Sequence, residues 1–222
     1  MSFLDRYRTP EDLPRQIPVF PLAGALLLPR ADLPLNIFEP RYLAMVDHAL
    51  SNDRLIGMIQ PAAGQEAEGN PGLMKVGCVG RIVSYAETED DRMLITLTGV
   101  SRFQVVKEVE AETAFRQVVA NYHPFAIDLR LDAGASEVNR PALIKAFRDY
   151  LTANNMRANW EEVETAPSDV LVNTLSLLAP YPPEEKQALL EAPDLRARAD
   201  MLVALTEIAL SRMAPDGKHK LQ

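Results

Sequence analysis

Pro34-Leu-Asn-Ile-Phe-Glu-Pro-Arg-Tyr42 runs straight into Leu43-Ala-Met-Val-Asp-His-Ala-Leu50, and within this stretch an extended chain gives way to a helix. Tyr42, Met45, Val46, Ala49 and Leu50 recur at i, i+3, i+4, i+7 and i+8, the spacing of one apolar helical stripe. Pro40 stands where such a helix begins, a position at which a missing N–H removes no hydrogen bond. Glu39 beside that start suits the helix dipole, and Glu39 and Arg41 are placed to pair with each other or to cap backbone. Phe38 and Tyr42, one turn apart around Pro40, are expected to anchor the helix against the rest of the fold.

On either side of this helix the pattern is that of strands. Ile17-Pro-Val-Phe20 and Gly24-Ala-Leu-Leu-Leu28 are short apolar runs broken by Pro18, Pro21 and Pro29, which suits sheet edges or bends. Leu55 to Gln60 is another short run, and Pro61 to Gly72, rich in glycine and proline, reads as a loop. Met74 to Tyr85 follows, with Gly77 and Gly80 where close packing or a bulge needs no side chain. The acidic Glu87-Thr-Glu-Asp-Asp91 reads as a turn. After it Met93, Ile95 and Leu97 alternate with Leu94, Thr96 and Thr98, and Arg102 to Val109 and Phe115 to Tyr122 complete the set. Strands this close together predict an antiparallel sheet curled into a barrel.

The period changes near residue 125. Ala126 to Glu137 reads as a polar, acidic connection. Beyond it Leu143, Ile144, Phe147, Tyr150 and Leu151 form a stripe, with Asn139 and Pro141 as start signals. Leu171, Leu175 and Leu178 follow a possible cap at Ser168. Pro182-Pro183-Glu184-Glu185 opens a short helix that must stop near Pro193, and Met201, Leu202, Leu205, Ile208 and Ala209 make the last stripe. Roughly four helices are expected. The fold class is therefore α+β: a β barrel with one inserted helix over 1–125, then a helical subdomain over 126–222 whose tail, from Asp216 to Gln222, is expected to be disordered.

Composition narrows the function. Hydrophobic residues at 47% and charged residues at 24% describe a folded globule. A net charge of -8 repels phosphate backbones, so nucleic-acid binding is disfavoured. The single cysteine, Cys78, permits no internal disulfide, and the amino terminus has no apolar leader, so a cytoplasmic location is expected. No apolar run is long enough to cross a bilayer.

The residues of familiar catalytic chemistries do not assemble. Gly217-Lys218 is followed by His219 and makes no P-loop, and no Gly-x-Ser-x-Gly elbow occurs. Cys78, between strand valines, reads as a buried, inert thiol. His48, His123 and His219 share no motif spacing, and the acidic residues from Glu87 to Asp91 lack the spacing of a calcium loop. No catalytic residue, metal ligand or cofactor is assigned.

The longer segment from Ile17 through Pro34-Leu-Asn-Ile-Phe-Glu-Pro-Arg-Tyr42 resembles the opening signature of the amino-terminal, substrate-recognising domain of Lon proteases. Val76-Gly-Cys-Val-Gly-Arg-Ile82 with Gly99-Val-Ser-Arg-Phe103 resembles that family's second hairpin region. Asn173 to Leu178, Glu184 to Leu190 and Arg198 resemble its helical end, so the likeness runs from about Gln16 to about Ser211. It implies a PUA-like β pseudo-barrel followed by a helical bundle. It also implies a non-catalytic module that binds unfolded or flexible polypeptides, or a protease or chaperone partner, in the manner of a proteolysis adaptor or chaperone-like binder. The ATPase and Ser–Lys protease modules that follow this region in Lon proteases are not expected here. PUA-like barrels elsewhere bind RNA, which leaves an RNA or modified-base reader as the alternative. The signature residues Pro34, Phe38, Glu39, Pro40, Arg41 and Tyr42 are expected to be structural. Recognition is expected instead on loop leucines, Leu26, Leu27, Leu28 and Leu33, and in the Pro61 to Gly72 loop.

Overall fold

A computed structural model describes residues 3–67, 70–130 and 134–213. Its strands are β1 (Gln16–Pro21), β2 (Asp32–Ile37), β3 (Leu55–Ile59), β4 (Pro61–Ala67), β5 (Asn70–Leu73), β6 (Val76–Glu87), β7 (Met93–Val109) and β8 (Gln117–Asn121). Helix α1 (Pro40–Ser51) lies between β2 and β3. The main sheet runs β2-β7-β6-β3-β1-β8, and a further pairing of β7 with β8 closes its last five strands into a barrel. The length of β7 makes this possible: residues 93–98 pair with β2, and residues 104–109 pair with β8. The two runs anticipated separately are one strand.

Two features differ from a plain antiparallel barrel. The β1–β3 pair is parallel, because the chain returns to it through β2 and α1. The segment expected to be a loop over Pro61 to Gly72 contains β4 and β5, an antiparallel pair of its own. Elsewhere the alternation holds. Met93, Ile95 and Leu97 are buried while Leu94 is exposed.

Glycines set how closely the layers approach. A Cβ on Gly77 would lie 2.6 Å from both the Met58 carbonyl oxygen and the Phe103 ring, which is fully buried. Gly80 and Gly99 face each other across β6 and β7 at a bulge, leaving a trough with no side chains. The segment between β1 and β2 fills it. Arg30 donates its backbone N–H to the Gly99 carbonyl at 2.9 Å, and Gly99 donates to the Ala31 carbonyl at 2.9 Å. Gly24 to Leu28 is therefore an irregular strap pressed into the barrel, not a strand. Its leucines are core.

The second half is helical: α2 (Arg140–Ala153), α3 (Trp160–Thr165), α4 (Ser168–Leu178), α5 (Pro183–Glu191) and α6 (Leu195–Met213). Asn139 caps α2 by accepting from the Ala142 N–H, as its position predicts. The cap of α4 is Pro167, with Ser168 already in the helix. The short α3 carries no apolar stripe to reveal it in sequence. The expected disorder from Asp216 onward, together with Gly217, Lys218 and His219, lies outside the described residues.

One buried apolar cluster runs from Phe20, Leu27 and Ile37 through α1 into Leu143, Val172 and Leu189 of the bundle. Polar contacts cross the same boundary. Gln60 donates to the Pro183 carbonyl at 2.9 Å, and Lys186 donates to the Gly24 carbonyl at 3.0 Å. Arg102 of β7, 1% exposed, holds the Asp128 carboxylate and donates to the carbonyls of Leu190 and Ala192 at 3.1 and 2.5 Å. Asp128 belongs to the stretch expected to be an acidic connection. That stretch is instead partly wound into 3-10 turns, and its aspartate is drawn inward to neutralise Arg102.

Candidate functional site

The signature that opens the chain splits at Pro40. Tyr42 is buried and packs on Phe20 with ring centroids 4.1 Å apart. Phe38 is 60% exposed. Of the two residues expected to anchor the helix, Tyr42 is enclosed and Phe38 stands largely in solvent. The reason is geometric: Ile37 ends β2 on its core side, so the next side chain falls on the other face. Glu39 and Arg41 form the anticipated ion pair, with Arg41 Nη2 2.8 Å from the carboxylate, and the Arg41 guanidinium lies 4.5 Å from the centre of the Tyr42 ring. Glu39 occupies the cap position without a side-chain cap bond.

The leucines proposed for recognition are placed differently. Leu26, Leu27 and Leu28 are buried, because the strap drives them into the trough above Gly80 and Gly99. Leu33 is half-buried against the same core. None of the first three is available to a partner.

The exposed apolar surface gathers on the outer face of β2, β7 and β6. Leu94 stands between Asn36 on one side and Ala86 on the other, and Thr96 between Pro34 and Ser84. Leu94 is 47% exposed on this face, whereas Tyr85, 52% exposed, pairs with buried Ile95 and so belongs to the opposite face near the strand end. Pro34, Leu35, Tyr85 and Leu94 border a shallow concavity of about 410 Å³. Phe38 extends the row of Pro34 and Asn36 beyond the strand end, and the Arg92 guanidinium lies 5.6 Å from its ring centre. Arg92 is itself held by Asp90 at 2.7 Å, so the acidic turn positions a cation beside the aromatic ring.

β2 forms the edge of the sheet. Pro34 withholds a donor there, which blunts pairing with another strand. Contact on this face therefore runs through side chains: an aromatic ring, a leucine and a paired arginine. Such a surface suits apolar segments of a flexible chain. The sequence contained the signal for it in the strict alternation around Leu94, whose apolar side chain stands on the polar side of the strand.

Among the described residues, no three or more His, Cys, Asp or Glu side chains are grouped to hold a metal ion. Burial pushes the Cys78 thiol well above its ordinary range, and the residue is 1% exposed. His48 leans on Phe115 with ring centroids 5.2 Å apart. His123 is exposed, 3.7 Å from Glu11. No helix among the described residues is long and apolar enough to cross a membrane.

Comparison with known proteins agrees with this architecture. The chain is 28% identical over 198 residues to Lon protease 2 of Myxococcus xanthus, and 26% identical over 198 residues to Lon protease of Anaeromyxobacter dehalogenans. Each match covers 88% of this chain, which spans only about a quarter of the length of those relatives (24% and 23%). Among solved structures, a Lon N-terminal domain protein from Xanthomonas campestris superposes with a TM-score of 0.58 at 21% identity, over 85% of this chain and 97% of that one. The N-terminal domain of Mycobacterium avium complex Lon protease gives 0.63 at 16% identity, over 86% and 98%. These likenesses establish a shared fold. The model of the ATP-dependent protease La (LON) substrate-binding domain matches residues 16–207, and the chain belongs to that family.

Proposed function

We propose that the protein is a non-catalytic module that binds unfolded or flexible polypeptides, and that the outer face of β2, β6 and β7 makes the contact. The observation that carries this reading is the exposure of Phe38 in a signature segment whose neighbours Ile37 and Tyr42 are buried. An aromatic ring left in water, with Leu94 exposed on the same face, gains apolar burial only when a partner arrives. A proteolysis adaptor or chaperone-like holder is the role that such binding would serve, and a protease or chaperone would be its natural partner. The RNA-reader alternative is not favoured, since the family is that of a protease substrate-binding domain and the net charge is -8.

The test uses fluorescein-labelled, reduced and alkylated casein in a polarisation titration. A Phe38→Ser, Leu94→Ser double variant should bind at least about tenfold more weakly, since a central aromatic contact is worth about 2 kcal/mol or more. Its melting temperature should stay within a few degrees of the parent. Unchanged affinity in the folded variant would remove this face from the reading.

A further inference from the structure

Between the barrel and the bundle lies a second concavity, of about 160 Å³, with a different chemistry. Arg30, Arg102, Asp128, Asp169, Asn173 and Arg198 line it. Most of their polar atoms are accounted for. Arg30 holds one Asp169 oxygen at 3.0 Å, and Arg102 holds Asp128 through both oxygens. Arg198 donates Nε to the Leu189 carbonyl at 2.9 Å and Nη1 to the Asn173 amide oxygen at 3.0 Å. Among the described residues, two buried atoms of this lining remain without a partner: Asp169 Oδ1, an acceptor, and Arg198 Nη2, a donor. Both residues are more than nine-tenths buried.

Glu137, Asp194 and Arg196 also line the cavity, so both signs of charge surround it and the contacts decide which is left idle. Arg30 and Arg102 each have a carboxylate in contact, whereas Arg198 meets only neutral oxygens. Burial, and then repulsion from Arg102, lower its pKa to about 10, and Asp128 and Asp194 offset part of this. It remains a guanidinium near neutral pH. A buried cation with an idle donor favours an anion. The idle carboxylate oxygen of Asp169, in the lining of the same cavity, would repel a fully deprotonated anion but accept from one that keeps a hydroxyl.

We infer that this cavity binds a small oxyanion carrying a hydroxyl, such as hydrogen phosphate or a small hydroxy acid, with its charged oxygen on Arg198 and its hydroxyl on Asp169. The volume is right for such an ion with a little water, being space for roughly five waters at about 30 Å³ each. Water alone can satisfy one donor and one acceptor, but it adds no negative charge in contact with the guanidinium of Arg198.

Phosphate and sulfate have the same shape, yet near neutral pH only phosphate retains a proton, and glycolate differs from acetate by its hydroxyl. Calorimetric titration of the full chain with these four sodium salts at matched ionic strength separates the possibilities. Saturable binding with a preference of about tenfold or more for the hydroxyl-bearing member of either pair is expected, the discrimination for one buried hydrogen bond. The pair that shows it identifies the ligand chemistry. Equal affinity within both pairs, or no saturable binding of any salt, overturns the inference and leaves the cavity to water. Asp169→Asn supplies a second reading if it folds, because an amide can donate where the carboxylate cannot. The preference should then fall toward unity, whereas an unchanged preference would remove Asp169 from the site.

Discussion

The barrel–bundle junction and the outer face of β2, β6 and β7 invert the ordinary distribution of residues in opposite ways. At the junction, charge is buried: Arg102 and Asp128 are almost fully enclosed. On the outer face, apolar groups stand in water: Phe38 and Leu94 are both about half exposed or more. A buried charge is tolerable only when its partners are complete, and here the guanidinium of Arg102 has both a carboxylate and two carbonyls. An exposed apolar group costs little stability and is free to serve binding. The difference separates residues that hold the fold from residues left over for a partner.

The largest effect should come from breaking the junction. Asp128→Ala leaves the Arg102 guanidinium buried and half-satisfied, at a cost of about 3–5 kcal/mol. Of a typical total of about 5–15 kcal/mol, that loss would show as a large drop in the urea midpoint. A cost below about 1 kcal/mol would mean that water reaches Arg102. The same junction predicts that barrel and bundle unfold together. Trp160 in α3, the chain's only tryptophan, reports on the bundle by fluorescence, and circular dichroism reports on the whole. Coincident transitions are expected. Separate ones would support the expectation of two units, 1–125 and 126–222, joined between Ala126 and Glu137.

A smaller effect tests the strap. A Cβ at Gly99 would collide with the Leu28 carbonyl, and that atom is backbone, which cannot rotate away. Gly99→Ala should therefore cost about 1–3 kcal/mol, measured by chemical denaturation, as overpacking does. Gly24→Ala meets no neighbour within 4 Å, yet its positive φ still imposes strain, so it should be destabilising by less. A reversal of that order would show that the strap is not pressed onto the glycine pair.

Periodicity made the helix α1, the alternation of β7 and most of the bundle legible, because each buries one face against a core. It did not reveal the strap, because an apolar run such as Leu26-Leu27-Leu28 looks the same whether it fills a trough or meets a partner. The trough itself is written elsewhere, in Gly80 and Gly99, and only the register of β6 with β7 brings these together. Asp128 was hidden for a similar reason. A lone aspartate between Ile127 and Leu129, in a stretch with no regular period, looks solvated until Arg102, distant in sequence, is placed against it. Cysteine burial was readable from the flanking valines, and Cys78 is enclosed as they imply. The face around Phe38 depended on parity: counting from Ile37, one residue decides between core and solvent.

Phe38→Ala carries the smallest expected change in stability and tests that parity directly. An aromatic side chain emptied from a core would cost about 3–5 kcal/mol. At 60% exposure Phe38 has little of that burial to lose. Its ring contact with Arg92, at 5.6 Å on an exposed site, is worth no more than about 0.5–1 kcal/mol. Arg92 also keeps its ion pair with Asp90 when the ring is gone. Parent and variant should therefore give melting curves nearly superimposed, while Tyr42→Ala, which removes a buried ring stacked on Phe20, should lower the melting temperature by many degrees. Comparable losses in the two variants would place Phe38 in the core after all, and with it would go the case for an exposed recognition face.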